Sequence, residues 1–146
     1  MRFLTLASFL FLLYGCALFQ AEDFLPSDPS LQGVTWKLER LNVNGQLAPP
    51  PEGRTYTVVF HSEGQIGGKS GCNAYGGTYK VKSGKKMEIE INLSTYVLCP
   101  EDESLENLYQ SLLRNTEKYE IDGGKLLLYP DGSQDPALIF VSANDE

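Results

Sequence analysis

Three cysteines, one histidine, a glycine-rich stretch ending in Lys-Ser and a short run of carboxylates are the residues whose types invite a chemical reading. Cysteines can bind zinc, but no Cys-x-x-Cys pair occurs and His61 is the single histidine, which disfavours a metal site. A serine-type triad needs its histidine held between nucleophile and acid. His61 stands at the end of an expected strand beside a turn and reads as an ordinary exposed turn position. The stretch Gly64-Gln65-Ile66-Gly67-Gly68-Lys69-Ser70 imitates a phosphate-binding P-loop. Its spacing requires the first glycine where Glu63 stands, and the residues that follow are strand-like rather than the start of a helix. Glu101, Asp102 and Glu103 imitate a catalytic carboxylate pair, yet a helix start explains them. No catalytic set survives. The expectation is a protein that is not an enzyme and uses no metal or cofactor.

The remaining chemistry belongs to the cysteines. Arg2 precedes an uncharged run over residues 3–14, too short for a comfortable spanning helix and suited to a signal peptide. It ends in Leu13-Tyr14-Gly15-Cys16, which resembles the bacterial lipobox, with Tyr14 departing from the small residue usual there. That resemblance implies a signal peptide over 1–15, a lipid on Cys16 and attachment to the membrane through it. With Ala17 rather than Asp after the cysteine, it also implies an outer-membrane lipoprotein facing the periplasm. The alternatives are a signal anchor running on to Phe19, or ordinary cleavage nearby. Residues 16–32 include Pro26-Ser27-Asp28-Pro29 and read as a lipidated, flexible tether, leaving 33–146 as one domain. If Cys16 carries lipid or leaves with the leader, Cys72 and Cys99 remain, and an oxidising compartment favours a bridge between them. Such a bridge would stabilise the fold by about 3.5 kcal/mol in the chain-entropy account. Two buried thiols are the alternative.

A net charge of −7 argues against a nucleic-acid partner. Lys80, Lys82, Lys85 and Lys86 read as solvated strand positions and protection of a sheet edge.

The elements that must position these residues are mostly strands. Residues 36–41 and 56–60 read as strands, with Asn44-Gly45 as a tight turn. Residues 65–68 and 74–81 follow. Met87, Ile89, Ile91 and Leu93 alternate with polar neighbours in the clearest half-buried strand. One helix is expected over 101–115, with Leu105, Leu108, Tyr109, Leu112 and Leu113 on its apolar face. A hairpin over 118–129 turns at Gly123-Gly124, and a last strand covers 137–141. The fold class is α+β: about eight short strands in a curled or barrel-like antiparallel sheet, with one helix.

Residues 70–79 resist a plain strand reading. Five glycines between Gly67 and Gly77 imply bulges or close backbone approach, and Asn73 can lock a turn. At these residues the chain resembles the META/HslJ family. The resemblance rests on Trp36 and Leu38; on Gly71, Cys72, Asn73, Tyr75, Gly77 and Tyr79; on Thr95 and Cys99; and on Tyr119, Ile121 and Gly123. It spans roughly residues 31–141. Ala74 and Tyr96 replace basic residues that the family often has, and Val97-Leu98 replaces its usual Met-Ala. The resemblance implies a secreted or lipid-anchored domain, with several relatives linked to heat shock, antibiotic tolerance or virulence. Gly71, Asn73, Tyr75, Gly77, Tyr79, Thr95 and Tyr96 are therefore the binding or structural motif to follow. The first expectation is a non-catalytic envelope module that engages a protein or supports envelope integrity. The rival is a small-ligand binder with Tyr56, Tyr75, Tyr79 and Tyr96 lining a pocket.

Overall fold

A computed structural model describes residues 28–97 and 103–143. The expected signal peptide, Cys16, Cys99, Glu101 and Asp102 lie outside the described residues.

Among the described residues, nine strands and one α-helix follow in the order β1 (Thr35–Val43), β2 (Gln46–Ala48), β3 (Thr55–Phe60), β4 (Gln65–Gly71), β5 (Asn73–Lys82), β6 (Lys86–Ser94), α1 (Glu103–Arg114), β7 (Thr116–Asp122), β8 (Lys125–Pro130) and β9 (Leu138–Ser142). β3 to β9 pair in sequence, β1 pairs with both β3 and β9, and all the pairings are antiparallel. The sheet therefore closes into an eight-stranded barrel, and the short β2 lies on β1 outside the ring. This is the α+β, barrel-like class that the strand pattern implies.

Alternation explains which side chains fill it. Tyr56, Val58 and Phe60 of β3, and Met87 and Ile89 of β6, are buried, while the residues between them face outward. Asn44-Gly45 and Gly123-Gly124 both have positive φ, the backbone that two-residue hairpins require.

β5 is hydrogen-bonded along both sides, whereas β6 meets β7 at the single pair Lys86 and Lys118. The lysines of this region are solvated as expected, and Lys86 and Lys118 form the one pair that closes the ring between β6 and β7.

The segment before β1 belongs to the fold. Leu31 is fully buried, its carbonyl accepts from Trp36 Nε1 at 3.3 Å, and Gln32 bridges to Phe60. Residues 28–32, the last five of the expected tether, thus pack against one end of the barrel. α1 is described from Glu103, within the helix expected over 101–115, and packs against β4 and β6. Its Tyr109 meets Tyr56, Tyr75 and Phe140 edge-on in the core, with centroids 5.2, 6.0 and 6.4 Å apart.

Candidate functional site

The β4–β5 turn is where sequence chemistry and structure meet. Gly71, with φ +70°, lets the chain reverse within two residues. That reversal aims the buried Asn73 amide at the segment after β6. Asn73 Oδ1 accepts from Val97 N at 2.7 Å and from Thr95 Oγ1 at 3.1 Å. Its Nδ2 donates to the Val97 carbonyl at 3.3 Å and to Glu106 Oε2 at 2.8 Å. One side chain thus pairs with both backbone groups of Val97, as a neighbouring strand would. Thr95 reinforces the clamp: its amide donates to the Ala74 carbonyl at 2.9 Å, and its hydroxyl accepts from Ala74 N at 3.0 Å.

Glu106 closes the network from α1. Its Oε1 accepts from Ser70 Oγ at 2.8 Å and from Gln110 Nε2 at 3.4 Å. Gln110 also donates to Ser70 Oγ at 3.1 Å and accepts from Arg114 at 3.2 Å. Ser70, Asn73, Glu106 and Gln110 are all buried, so each needs these partners. Sequence reasoning missed Ser70, Glu106 and Gln110. A signal was present: Glu106 and Gln110 are one turn apart and share the helix side of Tyr109 and Leu113.

Beneath this network, the hydroxyls of Tyr75 and Tyr109 both donate to the Thr57 carbonyl, at 2.8 and 3.0 Å, and stand 3.2 Å apart. Burial raises both phenols well above their ordinary value. Tyr119 is raised too, first by burial and then by its hydrogen bond to Asp28. Folding therefore favours the protonated phenols. Their contribution to stability is whole below the ordinary phenol pKa and is lost as pH climbs above about 10. Phenolate absorbance at 295 nm and far-ultraviolet dichroism, followed together from pH 8 to 13, should show these three titrating with unfolding. Titration of all eight tyrosines before loss of the fold would contradict the packing.

The other expected residues lie apart from this clamp. Tyr79 is buried toward the opposite end, its hydroxyl donating to the His61 carbonyl at 3.0 Å and its ring edge-on to Phe60 at 4.9 Å. Gly77 sits at a bulge where the β5–β6 register shifts. Tyr56, Tyr75 and Tyr79 do not line a common pocket, since their rings occupy the barrel interior. Tyr96 alone of that expected set is outside, 77% exposed. Cys72 is disulfide-bonded, and Arg54 donates to its sulfur at 3.0 Å. Cys16 and Cys99, the other two cysteines, are both outside the described residues. His61 has no serine or carboxylate partner to its ring among the described residues. It borders a shallow outer groove of about 430 Å³ with Gln65, Gly76, Gly77, Asn92 and Leu93.

What the clamp presents is apolar. Leu93, in β6 opposite Gly76, is 65% exposed, and Tyr96 and Val97, in the segment held by Asn73 and Thr95, are 77% and 54% exposed. The arrangement leaves these apolar side chains available for contact.

Barrel, buried polar clamp and exposed apolar residues together define a small closed-barrel domain with one helix. The chain belongs to the META family, whose domain model matches residues 29–145. No curated protein matches it. Among solved structures, a protein from Burkholderia xenovorans determined by NMR is 22% identical with a TM-score of 0.63, over 82% of this chain and 90% of that one. A duf4847 family protein from Bacteroides vulgatus is 18% identical with a TM-score of 0.52, over 75% of this chain and 91% of that one. At these identities the likeness is one of fold.

Proposed function

We propose that this META domain is a non-catalytic interaction module of the bacterial envelope, tethered through a lipid on Cys16 and serving envelope integrity through a protein partner. The carrying observation is the ridge of Leu93, Tyr96 and Val97, the last two on a backbone that Asn73 and Thr95 pin from beneath. Exposed apolar side chains on a rigid frame lose little entropy on binding, which is how interface anchors gain affinity. The lipobox-like residues 13–16 and the oxidised state of Cys72 support an outer-membrane, periplasm-facing location.

Photocrosslinking probes at Tyr96 and Leu93, read by mass spectrometry in the native envelope, test this. A shared protein adduct at both positions, absent with a probe at Lys69, is the expected result. Clean probes at both would overturn it. Against the captured partner, Tyr96→Ser should weaken affinity at least tenfold and leave the melting temperature within about 1 °C, because the side chain is not part of the core.

A second reading has one observation in its favour. The groove beside Leu93 has a volume within the range of small-ligand sites. A ligand filling it would raise the melting temperature, and Gly76→Leu would abolish the rise.

A further inference from the structure

We propose that the lysines across β5, β6 and β7 rest the barrel on an anionic phospholipid surface, beside the point where residues 1–27 join the fold. The orientation rests on the tether proposed above.

The register is unusual. Lys82 lies opposite Lys86, and Lys86 opposite Lys118, so three lysines stand in one row across three strands. Antiparallel partners project from the same face about 5 Å apart, and like charges there repel. Lys80 lies two residues along β5 from Lys82, and Lys85 is in the turn before Lys86. Five of the twelve basic residues thus gather in one region of a chain whose net charge is −7. Glu88 and Glu120 stand among them, 2.6 Å from Lys82 and 2.7 Å from Lys118. Ion pairs this exposed are weak, so phosphates can replace the carboxylates.

Position supplies the partner. Asp28, the first described residue, accepts from Tyr119 Oη at 2.8 Å, one residue along β7 from Lys118. The turn that holds Lys85 packs against β7 as well, at the same end of the barrel. Cys16 precedes Asp28 by twelve residues, a length of chain that reaches at most about 40 Å. A lipid at Cys16 therefore keeps this end of the barrel close to the headgroups, where lysines gain from anionic lipid. The ridge after β6 lies at the far end of a nine-residue strand, about 26 Å from Lys86. One end rests on the membrane and the other presents the ridge away from it.

The test uses the full chain purified from bacterial membranes and mixed with vesicles of phosphatidylcholine alone or with one-third phosphatidylglycerol. Amine acetylation is read residue by residue. Lys82, Lys85, Lys86 and Lys118 should react severalfold more slowly on the anionic vesicles, Lys69 should not, and 0.5 M salt should erase the difference. Lys85→Gly with Lys86→Gln should abolish protection of Lys82 and Lys118 and weaken the anionic preference about twentyfold, roughly fivefold per lysine. The first change relieves a φ of +59° and the second removes like-charge repulsion, so lost folding cannot mimic the result. A chain held by both vesicles with equally reactive lysines overturns the patch and leaves the tether standing. Binding to the anionic vesicles alone overturns the tether and keeps the patch. Binding to neither overturns both. Protection in the native envelope but not on vesicles assigns the lysines to an acidic protein instead, and overturns the proposal.

Discussion

Gly77→Ala is expected to cost the fold about 3 kcal/mol or more, the largest effect of any single methyl group added to the barrel. A Cβ at Gly77 would stand 1.8 Å from the Glu90 carbonyl oxygen, 2.8 Å from its carbon and 3.0 Å from Ile91 Cα. All three atoms are backbone of the paired strand, so no rotamer change can relieve the clash. The β5–β6 ladder must open at the bulge, where Gly76 pairs with Leu93 and Gly77 with Ile91. Gly76→Ala is the control: its nearest neighbour is Leu93 Cδ1 at 3.3 Å, the end of an exposed side chain that can turn away. Urea unfolding should show the Gly77 variant losing most of its stability while the Gly76 variant changes by less than about 1 kcal/mol. Similar midpoints for the two would refute the bulge argument. Gly68→Ala should resemble Gly77→Ala, since its Cβ would meet the Thr57 oxygen at 2.0 Å and Tyr75 Oη at 2.9 Å. It would fill the space in which the two tyrosine hydroxyls reach that carbonyl.

Asn73→Asp should destabilise the domain by about 3–5 kcal/mol at neutral pH, although the side chain keeps its shape. The replaced Nδ2 donates to Glu106 Oε2 at 2.8 Å and to the Val97 carbonyl at 3.3 Å. A carboxylate oxygen in its place confronts two acceptors, one of them charged and buried. The two carboxylates can coexist by sharing a proton, which raises the apparent pKa of the pair in the folded state. Stability that depends on a raised pKa is present at low pH and lost as pH rises, so the deficit should shrink as pH falls from 7 toward 5. A deficit independent of pH would mean that Glu106 does not face position 73. Asn73→Ala separates clamp from charge. It leaves the Val97 amide without its side-chain acceptor, and hydrogen exchange at Val97 should accelerate at least tenfold while the core amides of β3 follow global stability.

These two experiments touch residues that the sequence singles out without showing what they meet. Alternation in residues 87–93, the Asn44-Gly45 and Gly123-Gly124 turns, and the apolar spacing of 105–113 each rest on near neighbours in the chain. That is why strand number, helix and barrel-like class could be read directly. The crowding of glycines over 67–77 also announced close backbone approach, and Gly68 and Gly77 meet the neighbouring strands within 2.0 Å of where a Cβ would be.

Tertiary structure decided the rest, because it depends on which distant residues meet. Asn73 could be singled out, but not its partnership with Val97 and Glu106, 24 and 33 residues away. Glu106 and Gln110 look like solvated helix positions until α1 is laid across β4 and β6. Tyr75 and Tyr96 have the same side chain, yet one is 4% and the other 77% exposed. Lys82, Lys86 and Lys118 are ordinary surface lysines along the chain and become a row only through strand register. Local pattern determines elements, because propensity and periodicity act over a few residues. Ring closure determines the buried clamp, the exposed ridge and the charged row, because only closure sets which strand lies beside which.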